Sequence, residues 1–536
     1  MAEPEELMQQ LRSKATELLL REEYKESINA YSHFITLCQD QLHKHHEKPD
    51  PNNVLKLQKS LCLALSNRAE ARCRLREFGA ALEDCDEALK IESTHFKTLL
   101  CKGKILMNLN RYSMALDCFR TAHLDPQVCN GGSESLNGYL ERCKKMEFLS
   151  RTGAFDLSDW VLSRFHGKPP ELAEYVGQVQ IRRSEISGRG LFAAKNIDAG
   201  TLLFVSKAIA IERSILGGEE LGENAQLNMW KNFIDEVTNL ASKCPRTHDL
   251  LATLCSGEGE NDLEIPDMSL FRSESESSCG ISVEKLDRKR ILSILDVNSL
   301  VENAVAATVL GKNSEYYGIG LWVLACFINH SCVPNARRLH VGDYVLVHAS
   351  RDVKAGEEIT FAYFDVLSPL GERKEMSRRW GFGCGCKRCE FEEGIFSRQE
   401  VREIEIGLER GMDTGGTVFR LEEGMRRWMV RGKEKGYLRA SFWAAFSEAY
   451  GSEKSVKKWS RRIPPVDSVL DSIMEAVGSD ERVLKILLDR MKKSGGSGGV
   501  VEMEKALKLG RGLYGKAMKK QAMKTLVDLV HEHAIN

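Results

Sequence analysis

Asn329-His330-Ser331-Cys332-Val333-Pro334-Asn335 decides the fold, together with Cys384-Gly385-Cys386-Lys387-Arg388-Cys389 about fifty residues later. The first stretch reads as a compact turn rich in polar groups, and the second has the tight spacing of thiolate metal ligands. Three cysteines cannot complete a tetrahedral site, so the fourth ligand must come from elsewhere, and Cys332 is the candidate. We therefore predict a structural zinc ion held by Cys332, Cys384, Cys386 and Cys389. This ion would link the second stretch to the distant loop that contains Cys332. The alternative is a turn with free, reduced cysteines.

The composition limits the class of protein. The chain has 536 residues, 42% of them hydrophobic, enough for several domains with sizeable cores. Its net charge is only −1, so neither nucleic acid nor a membrane is expected as a direct partner. The N-terminus lacks a secretory signal pattern, and no apolar run reaches the ~18 residues of a membrane span. We expect an intracellular protein, cytoplasmic, nuclear or both, with reduced cysteines.

A repeat occupies the N-terminal part of the chain. Phe78 and Tyr112 are 34 residues apart, and the residues around them can be aligned at the same offset. Three further pairs share it: Ala69 and Gly103, Ala81 and Ala115, Ala88 and Ala122. This period, with small residues in both helices and an aromatic residue at the turn, is typical of tetratricopeptide repeats. The small residues let two helices approach closely.

We predict three such units, over residues 8–41, 62–95 and 96–128. In the first unit Ala15, Tyr24 and Phe34 occupy the equivalent positions, and a polar surplus near residues 43–51 is interpreted as an extension or a loop. Three units are about the minimum for a stacked solenoid, whose groove typically binds a peptide or helix. We expect a partner protein in that groove. The alternative is that the repeats only scaffold the rest of the chain.

The rest of the chain, residues 129–536, divides into segments with different sequence patterns. Residues 129–176 are predicted to be a linker with one short helix. A mostly-β domain over 177–366 should follow, interrupted by a mainly helical insert over 211–315. Four strands are expected at residues 179–183, 200–205, 343–348 and 358–363. A zinc segment over 367–392 and a helical region over 393–536 complete the chain, with loops expected at the polar tracts 273–278 and 494–499.

Further motifs accompany the first two in a fixed order. Gly188-Arg189-Gly190 is a glycine-rich turn between strands, and Glu357-Glu358-Ile359-Thr360-Phe361-Ala362-Tyr363 ends a strand on a tyrosine. With the Asn-His-Ser-Cys motif and the cysteine-rich tail, this order resembles the SET-domain lysine methyltransferases, most of all the subfamily with SET and MYND domains. A MYND zinc finger is not expected, because the insert contains only Cys244, Cys255 and Cys279.

The resemblance implies S-adenosyl-L-methionine as cofactor and a role for each motif. Tyr363 is the implied catalytic residue, whose hydroxyl positions the methyl group and the lysine nitrogen. The backbone around Arg189 is implied to cradle the methionine part of the cofactor. Phe382 is implied to stack on adenine, whereas Trp380 is interpreted equally well as a second cofactor contact or as core. The implied cofactor-binding residues are Gly188, Arg189, Gly190, Asn329, His330, Tyr363, Phe382 and Trp380.

The fold class predicted is therefore multidomain, with an N-terminal α-solenoid, a central mostly-β SET domain with a helical insert and a zinc-binding tail, and a helical C-terminal region. The function that the resemblance implies is a protein-lysine N-methyltransferase whose substrate or partner is recruited through the repeats. The alternative is a catalytically silent adaptor that binds partner proteins. The substrate, histone or non-histone, and the number of methyl groups transferred stay open.

Overall fold

The computed structural model describes residues 4–45, 51–124, 133–215, 219–257, 263–274, 286–310, 316–459, 461–493 and 499–532. The chain divides into two compact units. The first contains residues 1–152 with two short segments, 242–245 and 272–281, and the second contains the rest. Most of the two predicted polar tracts, residues 275–278 and 494–498, and residues 46–50 of the polar surplus lie outside the described residues.

The first unit is helical, as predicted. Its helices pack consecutively, each against the next. They are α1 (Pro4–Leu20), α2 (Tyr24–His45), α3 (Pro51–Arg74), α4 (Phe78–Ile91), α5 (Phe96–Asn108), α6 (Tyr112–His123) and α7 (Ser133–Thr152). The pairs α3/α4 and α5/α6 repeat at the predicted 34-residue offset, and α1/α2 precede them.

Small residues at the repeat positions permit close helix packing. Ala69, Ala81 and Ala88 have no exposed surface. At Gly103 a Cβ atom would lie 2.4 Å from the ring of Phe119, so α5 meets α6 through a position without a side chain. The physical reason given for the repeat pattern is thereby confirmed.

One feature of this unit differs from the sequence prediction. Residues 133–152 are not part of a linker, because α7 packs on α6 and buries Leu136, Cys143 and Met146. Of the polar surplus between the first two repeats, the described residues belong to helices, since α2 continues to His45 and α3 begins at Pro51. Burial at three- and four-residue spacing along α7 explains why this segment joins the helical stack.

The second unit begins with a β-rich region. Its elements up to the insert are α8 (Ser158–Leu162), β1 (Tyr175–Val176), β2 (Val179–Arg183), β3 (Arg189–Ala193), β4 (Leu202–Lys207) and β5 (Ile211–Ile215). After it come β7 (Tyr316–Gly320), β8 (Asn329–His330), β9 (Ala336–Val341), β10 (Tyr344–Ala349) and β11 (Glu358–Phe361). The four predicted strands correspond to β2, β4, β10 and β11.

The insert is mostly helical but is framed by strands. It contains α9 (Glu219–Lys243), α10 (Pro245–Ala252), a 3-10 turn (Met268–Phe271), α11 (Arg288–Asn298), β6 (Leu300–Val301) and α12 (Val305–Val309). Strands β5, β7 and β6 pair in that order, so residues 211–215 belong to a sheet rather than to a helix. This pairing joins stretches that are about a hundred residues apart, and local periodicity therefore does not reveal it.

Two four-stranded sheets position the candidate site. Their strand orders are β1-β4-β10-β9 and β2-β3-β11-β8. The short strand β8 runs parallel to β11, which pairs Asn329 with Thr360 and His330 with Phe361. Because Tyr363 follows β11 closely, this pairing brings the Asn-His motif to the tyrosine.

Helices complete the second unit. They are α13 (Leu370–Arg379), α14 (Lys387–Phe396), α15 (Gln399–Glu409), α16 (Thr414–Arg427), α17 (Lys433–Ser441), α18 (Trp443–Gly451), α19 (Glu453–Trp459), α20 (Val466–Val477), α21 (Glu481–Lys493), α22 (Gly499–Tyr514) and α23 (Lys520–Glu532). The predicted helical C-terminal region is confirmed. Among the described helices, none combines the length and the apolar character needed to cross a membrane.

Candidate active site and metal centre

Four cysteine sulfurs converge at the site, as the spacing predicted. The Sγ atom of Cys332 lies 3.8 Å from that of Cys384 and 3.6 Å from that of Cys389. All four sulfurs, with Cys386, lie within 4.8 Å of one another. Tetrahedral zinc with Zn–S bonds of about 2.3 Å places sulfurs about 3.8 Å apart, so this donor set fits a zinc ion with four thiolate ligands.

Two nitrogen donors support the thiolates. Arg373 donates from Nη1 to the sulfur of Cys389 at 3.2 Å, and Nε2 of His330 lies 3.3 Å from the sulfur of Cys332. Hydrogen bonds of this kind orient metal ligands and stabilise their negative charge. The sulfur cluster is thus surrounded by groups that suit four thiolates on a metal ion better than four neutral thiols.

A buried ionic cluster joins the cysteine segment to the C-terminal helices. Arg373, Arg388 and Glu392 are at most 1% exposed, and Glu392 accepts hydrogen bonds from both arginines. Ser441, the last residue of α17, donates to Glu392 at 2.9 Å and accepts from Arg388 at 2.8 Å. Because two buried arginines face one glutamate, one positive charge is left over. The negative charge of the nearby thiolates would balance it.

His330 connects the sulfur cluster to the tyrosine. Burial lowers the pKa of His330 to about 4, so its ring is neutral at physiological pH. Nδ1 accepts the backbone N–H of Tyr363 at 3.0 Å. The single ring proton therefore belongs on Nε2, where it points at Cys332. One imidazole fixes both the position of the strand end and a metal ligand.

Oxygen acceptors surround the side chain of Asn329. Its Nδ2 contacts the carboxylate of Glu358 at 2.8 Å, and the carbonyl oxygens of Ser187 and Arg189 at 3.2 Å each. Ser184 Oγ lies 3.1 Å from the same nitrogen. Burial is the main cause that raises the pKa of Glu358. Among the described residues no donor bonds to Oδ1 of Asn329. The cradle is therefore rich in acceptors and suits a cationic ligand.

The glycine-rich turn is built around Glu358. At Gly190 a Cβ atom would lie 2.2 Å from Oε1 of Glu358, so only glycine leaves room for that carboxylate. Gly188 has φ of +43°, a conformation that favours glycine. The side chain of Arg189 turns away: it donates to the carbonyl of Glu264 at 3.0 Å and lies over the ring of Phe327. Among the described contacts, Arg189 contributes its backbone carbonyl to the cradle.

Tyr363 stands at the centre of an aromatic group. Its hydroxyl donates to the carbonyl of Ile328 at 2.9 Å, and burial raises its pKa well above the ordinary value. Its ring centroid lies 5.1 Å from that of Trp380 and 6.0 Å from that of Phe382. Trp380 keeps 43% of its surface exposed, so its ring borders the site rather than filling the core.

The structure brings the predicted site residues together, and Arg189 contributes its backbone carbonyl to the cradle. It also adds groups that sequence reasoning missed, chiefly Ser184, Glu358 and Arg338. Glu358 belongs to the motif at residues 357–363, but nothing in the sequence shows that its side chain faces Asn329. Arg338 lies over the ring of Phe361 with its guanidinium 5.0 Å from the centroid. Burial lowers the pKa of Arg338 to about 10, and Tyr363 and Cys326 are its electrostatic neighbours.

A comparison with known sequence families agrees with the geometry of the site. Residues 188–364 match the SET domain family. This range includes every motif of the site except the cysteine-rich tail. The chain therefore carries a SET domain, and that part of the sequence prediction is confirmed.

Curated relatives cover parts of the chain. A "Methyltransferase" of Gibberella zeae is 24% identical over 412 residues, which are 70% of this chain and 53% of the relative. The human "Histone-lysine N-methyltransferase SMYD3" is 34% identical over 87 residues, 16% of this chain and 20% of that enzyme. The chain thus spans about half the length of the fungal relative and a fifth of the human one. Among solved structures, the TPR2B domain of yeast Sti1 in its pHsp70 complex aligns with 26% of this chain and 97% of that chain, at 17% identity and a TM-score of 0.20.

Proposed function

We propose that this chain, which carries a SET domain, is an S-adenosylmethionine-dependent protein-lysine N-methyltransferase. One observation carries the proposal: the acceptor-rich cradle at Asn329 adjoins Tyr363, and a four-cysteine cluster holds both in place through His330. The similarity to named methyltransferases supports the reaction class.

The cofactor fits the donor set of the cradle. The α-ammonium and sulfonium groups of S-adenosylmethionine are cations, and the acceptors at Asn329 Oδ1, Glu358 and the carbonyls of Ser187 and Arg189 suit positive charge. Phe382 and Trp380 offer ring faces for the adenine. When bound, the cofactor supplies an electrophilic methyl group. The role of the chain is to orient that group and to exclude water.

The acceptor lysine must be neutral to react, although its ordinary pKa is near 10.4. Two features of the site would lower it. The aromatic rings around Tyr363 desolvate the amine, and the guanidinium of Arg338 disfavours a second cation close by. The Tyr363 hydroxyl donates its proton in the hydrogen bond to Ile328, which leaves the oxygen lone pairs to face the reacting groups. We assign Tyr363 the catalytic role on this basis.

Zinc would act structurally, because four thiolates leave no coordination position for a substrate. The ion would hold Cys384 and Cys386 against Cys332, and thereby keep Phe382 beside His330, with ring centroids 5.5 Å apart. Loss of zinc is expected to release this segment and with it the cofactor.

The helical repeats would recruit a protein, either the substrate or a partner. A cleft of about 650 Å³ lies between α2, α3 and α4. Arg68 and Arg72 line it, and both are paired with Asp84. A histone and a non-histone substrate remain equal candidates. We place the activity in the cytoplasm, the nucleus or both.

Methyl transfer from labelled S-adenosylmethionine to histones and to lysate proteins tests the proposal. The full chain should label one or more proteins at lysine, as mass spectrometry of the product will show. Tyr363→Phe should lose at least about 100-fold in kcat with cofactor binding retained. Tyr24→Phe, in the helical repeats, serves as the matched control. Equal labelling by Tyr363→Phe would contradict the catalytic role of Tyr363, and no labelling by the wild type would favour the silent adaptor.

A further inference from the structure

A second group of metal-ligating side chains lies in the first unit, apart from the cysteine cluster. Cys62 is on α3, Glu92 follows the end of α4, and His95 precedes α5. One ligand atom from each residue lies within 4.8 Å of the other two. Helix α3 and the turn between α4 and α5 therefore bring sulfur, oxygen and nitrogen donors to one point, where one repeat passes to the next.

The contacts around these residues hold two of the three donors in place. Cys62 is 1% exposed, and its thiol donates to the carbonyl of Ala88 at 3.5 Å. Nδ1 of His95 lies 2.7 Å from the hydroxyl of Thr98, a residue with no exposed surface. When Nδ1 donates to that hydroxyl, Nε2 carries the lone pair that a metal accepts. Ordering these side chains would therefore cost little on binding.

The negative charge of the Glu92 carboxylate has no basic partner in the part of the chain that the structure describes. Among the described residues, Glu92 has no lysine or arginine in an ion pair. Its nearest basic neighbours in sequence are committed elsewhere, since Lys90 pairs with Glu87 and Lys97 pairs with Glu70. A carboxylate beside a buried thiol, without a protein cation, is an arrangement that a divalent ion would stabilise.

We propose that Cys62, Glu92 and His95 form a separate metal site that binds Zn²⁺ through one thiolate, one carboxylate and one imidazole nitrogen. As the zinc–sulfur bond forms, the S–H bond of Cys62 breaks and its proton passes to solvent. Three protein ligands leave one position of the tetrahedron for water. Calcium and magnesium do not suit this donor set, because both prefer oxygen ligands alone.

The geometry requires only a small adjustment. Ligand atoms around tetrahedral zinc lie about 3.3–3.8 Å apart, against the present limit of 4.8 Å. The exposed side chain of Glu92 can move to close this gap. A bound ion would tie α3 to the turn between α4 and α5, and so link two successive helical pairs. The site would stabilise the repeats whether or not the SET domain methylates lysine.

Zinc content of the full chain tests the proposal. The protein would be stripped with a chelator, reloaded with zinc, freed of excess metal and measured by mass spectrometry of the elements. Wild type should hold about one equivalent more zinc per chain than His95→Gln or Glu92→Gln. Cys38→Ser removes a buried thiol elsewhere in the same unit and should leave the zinc content unchanged.

Cobalt gives a second readout that isolates the thiolate. In a background that carries Cys384→Ser, Cys386→Ser and Cys389→Ser, which leaves a single cysteine in the other cluster, added Co²⁺ should still give thiolate-to-cobalt charge-transfer absorption. The further change Cys62→Ser should abolish it, while circular dichroism shows whether the helices remain folded. Zinc content in folded His95→Gln and Glu92→Gln equal to that of wild type would overturn the proposal. So would cobalt–thiolate absorption that does not depend on Cys62.

Discussion

The backbone N–H of Tyr363 donates to Nδ1 of His330 at 3.0 Å, while Nε2 of the same ring meets the sulfur of Cys332 at 3.3 Å. One imidazole therefore bridges the proposed catalytic strand end and the cysteine cluster. Neither contact can change without affecting the other, so zinc binding and cofactor binding should be coupled.

Replacing the bridge tests this coupling. His330→Ala should weaken zinc binding about 10–100-fold, as loss of a hydrogen bond to a metal ligand typically does. Affinity for S-adenosylmethionine should fall with it, because Tyr363 and Phe382 lose their common support. Chelator competition and calorimetry measure the two effects. His33→Ala, an exposed histidine on α2, is the control. Weaker zinc binding with unchanged cofactor affinity would disprove the coupling.

The close approach at Gly190 gives a prediction about the cradle. Gly190→Ala should displace Glu358, because the new Cβ would lie 2.2 Å from Oε1. We expect at least about a tenfold loss of cofactor affinity, since Asn329 then loses its shortest contact. Gly371→Ala introduces a methyl group into open space on α13 and should leave the affinity unchanged. Full cofactor affinity in Gly190→Ala would contradict the assigned cradle.

The buried pair of Arg373 and Glu392 predicts a loss of stability. Arg373→Met should lower the free energy of unfolding by about 3 kcal/mol, because it leaves Glu392 with one arginine and removes the donor to Cys389. All seven tryptophans lie after residue 153, so their fluorescence during denaturation reports the second unit. Arg378→Met, on the exposed side of the same helix, should cause little change. Equal stability of the two variants would contradict a zinc-linked cluster.

His348 predicts a dependence of stability on pH. Burial lowers its pKa to about 4, below the ordinary value of 6.5, and Nε2 lies 3.3 Å from the carbonyl of Gly512. Between pH 6.5 and 4 the unfolded chain takes up a proton that the folded chain does not. Stability due to this residue is therefore complete above pH 6.5, and falls by about 1.4 kcal/mol per unit as the pH drops to 4.

A matched pair of variants isolates that effect. The free energy of unfolding of the second unit would be measured from pH 4.5 to 7 by tryptophan fluorescence. His348→Gln should flatten the slope over this window, while His123→Gln, an exposed residue of the first unit, should keep the wild-type slope. A slope in His348→Gln as steep as that of wild type would assign the pH dependence to other groups.

The sequence predicts what periodicity and motif spacing encode. The 34-residue offset located the helical pairs, and the spacing of Cys384, Cys386 and Cys389 required a fourth sulfur, which the structure supplies at Cys332. The contacts of Glu358 and Arg338 were not predictable, because they depend on β8 lying parallel to β11 and on which way single side chains turn. The helical nature of α7 was underestimated, since its burial depends on a neighbouring helix and not on its own propensity.

Calorimetric titration of S-adenosylmethionine into the zinc-loaded full chain tests the central claim most directly. Wild type should bind the cofactor at about one per chain, and Asn329→Ala should lose that binding, because the acceptor cradle is then opened. Zinc-stripped wild type should lose it as well. Absence of binding by folded, zinc-replete protein, or full binding by Asn329→Ala, would contradict the assignment of a methyltransferase site.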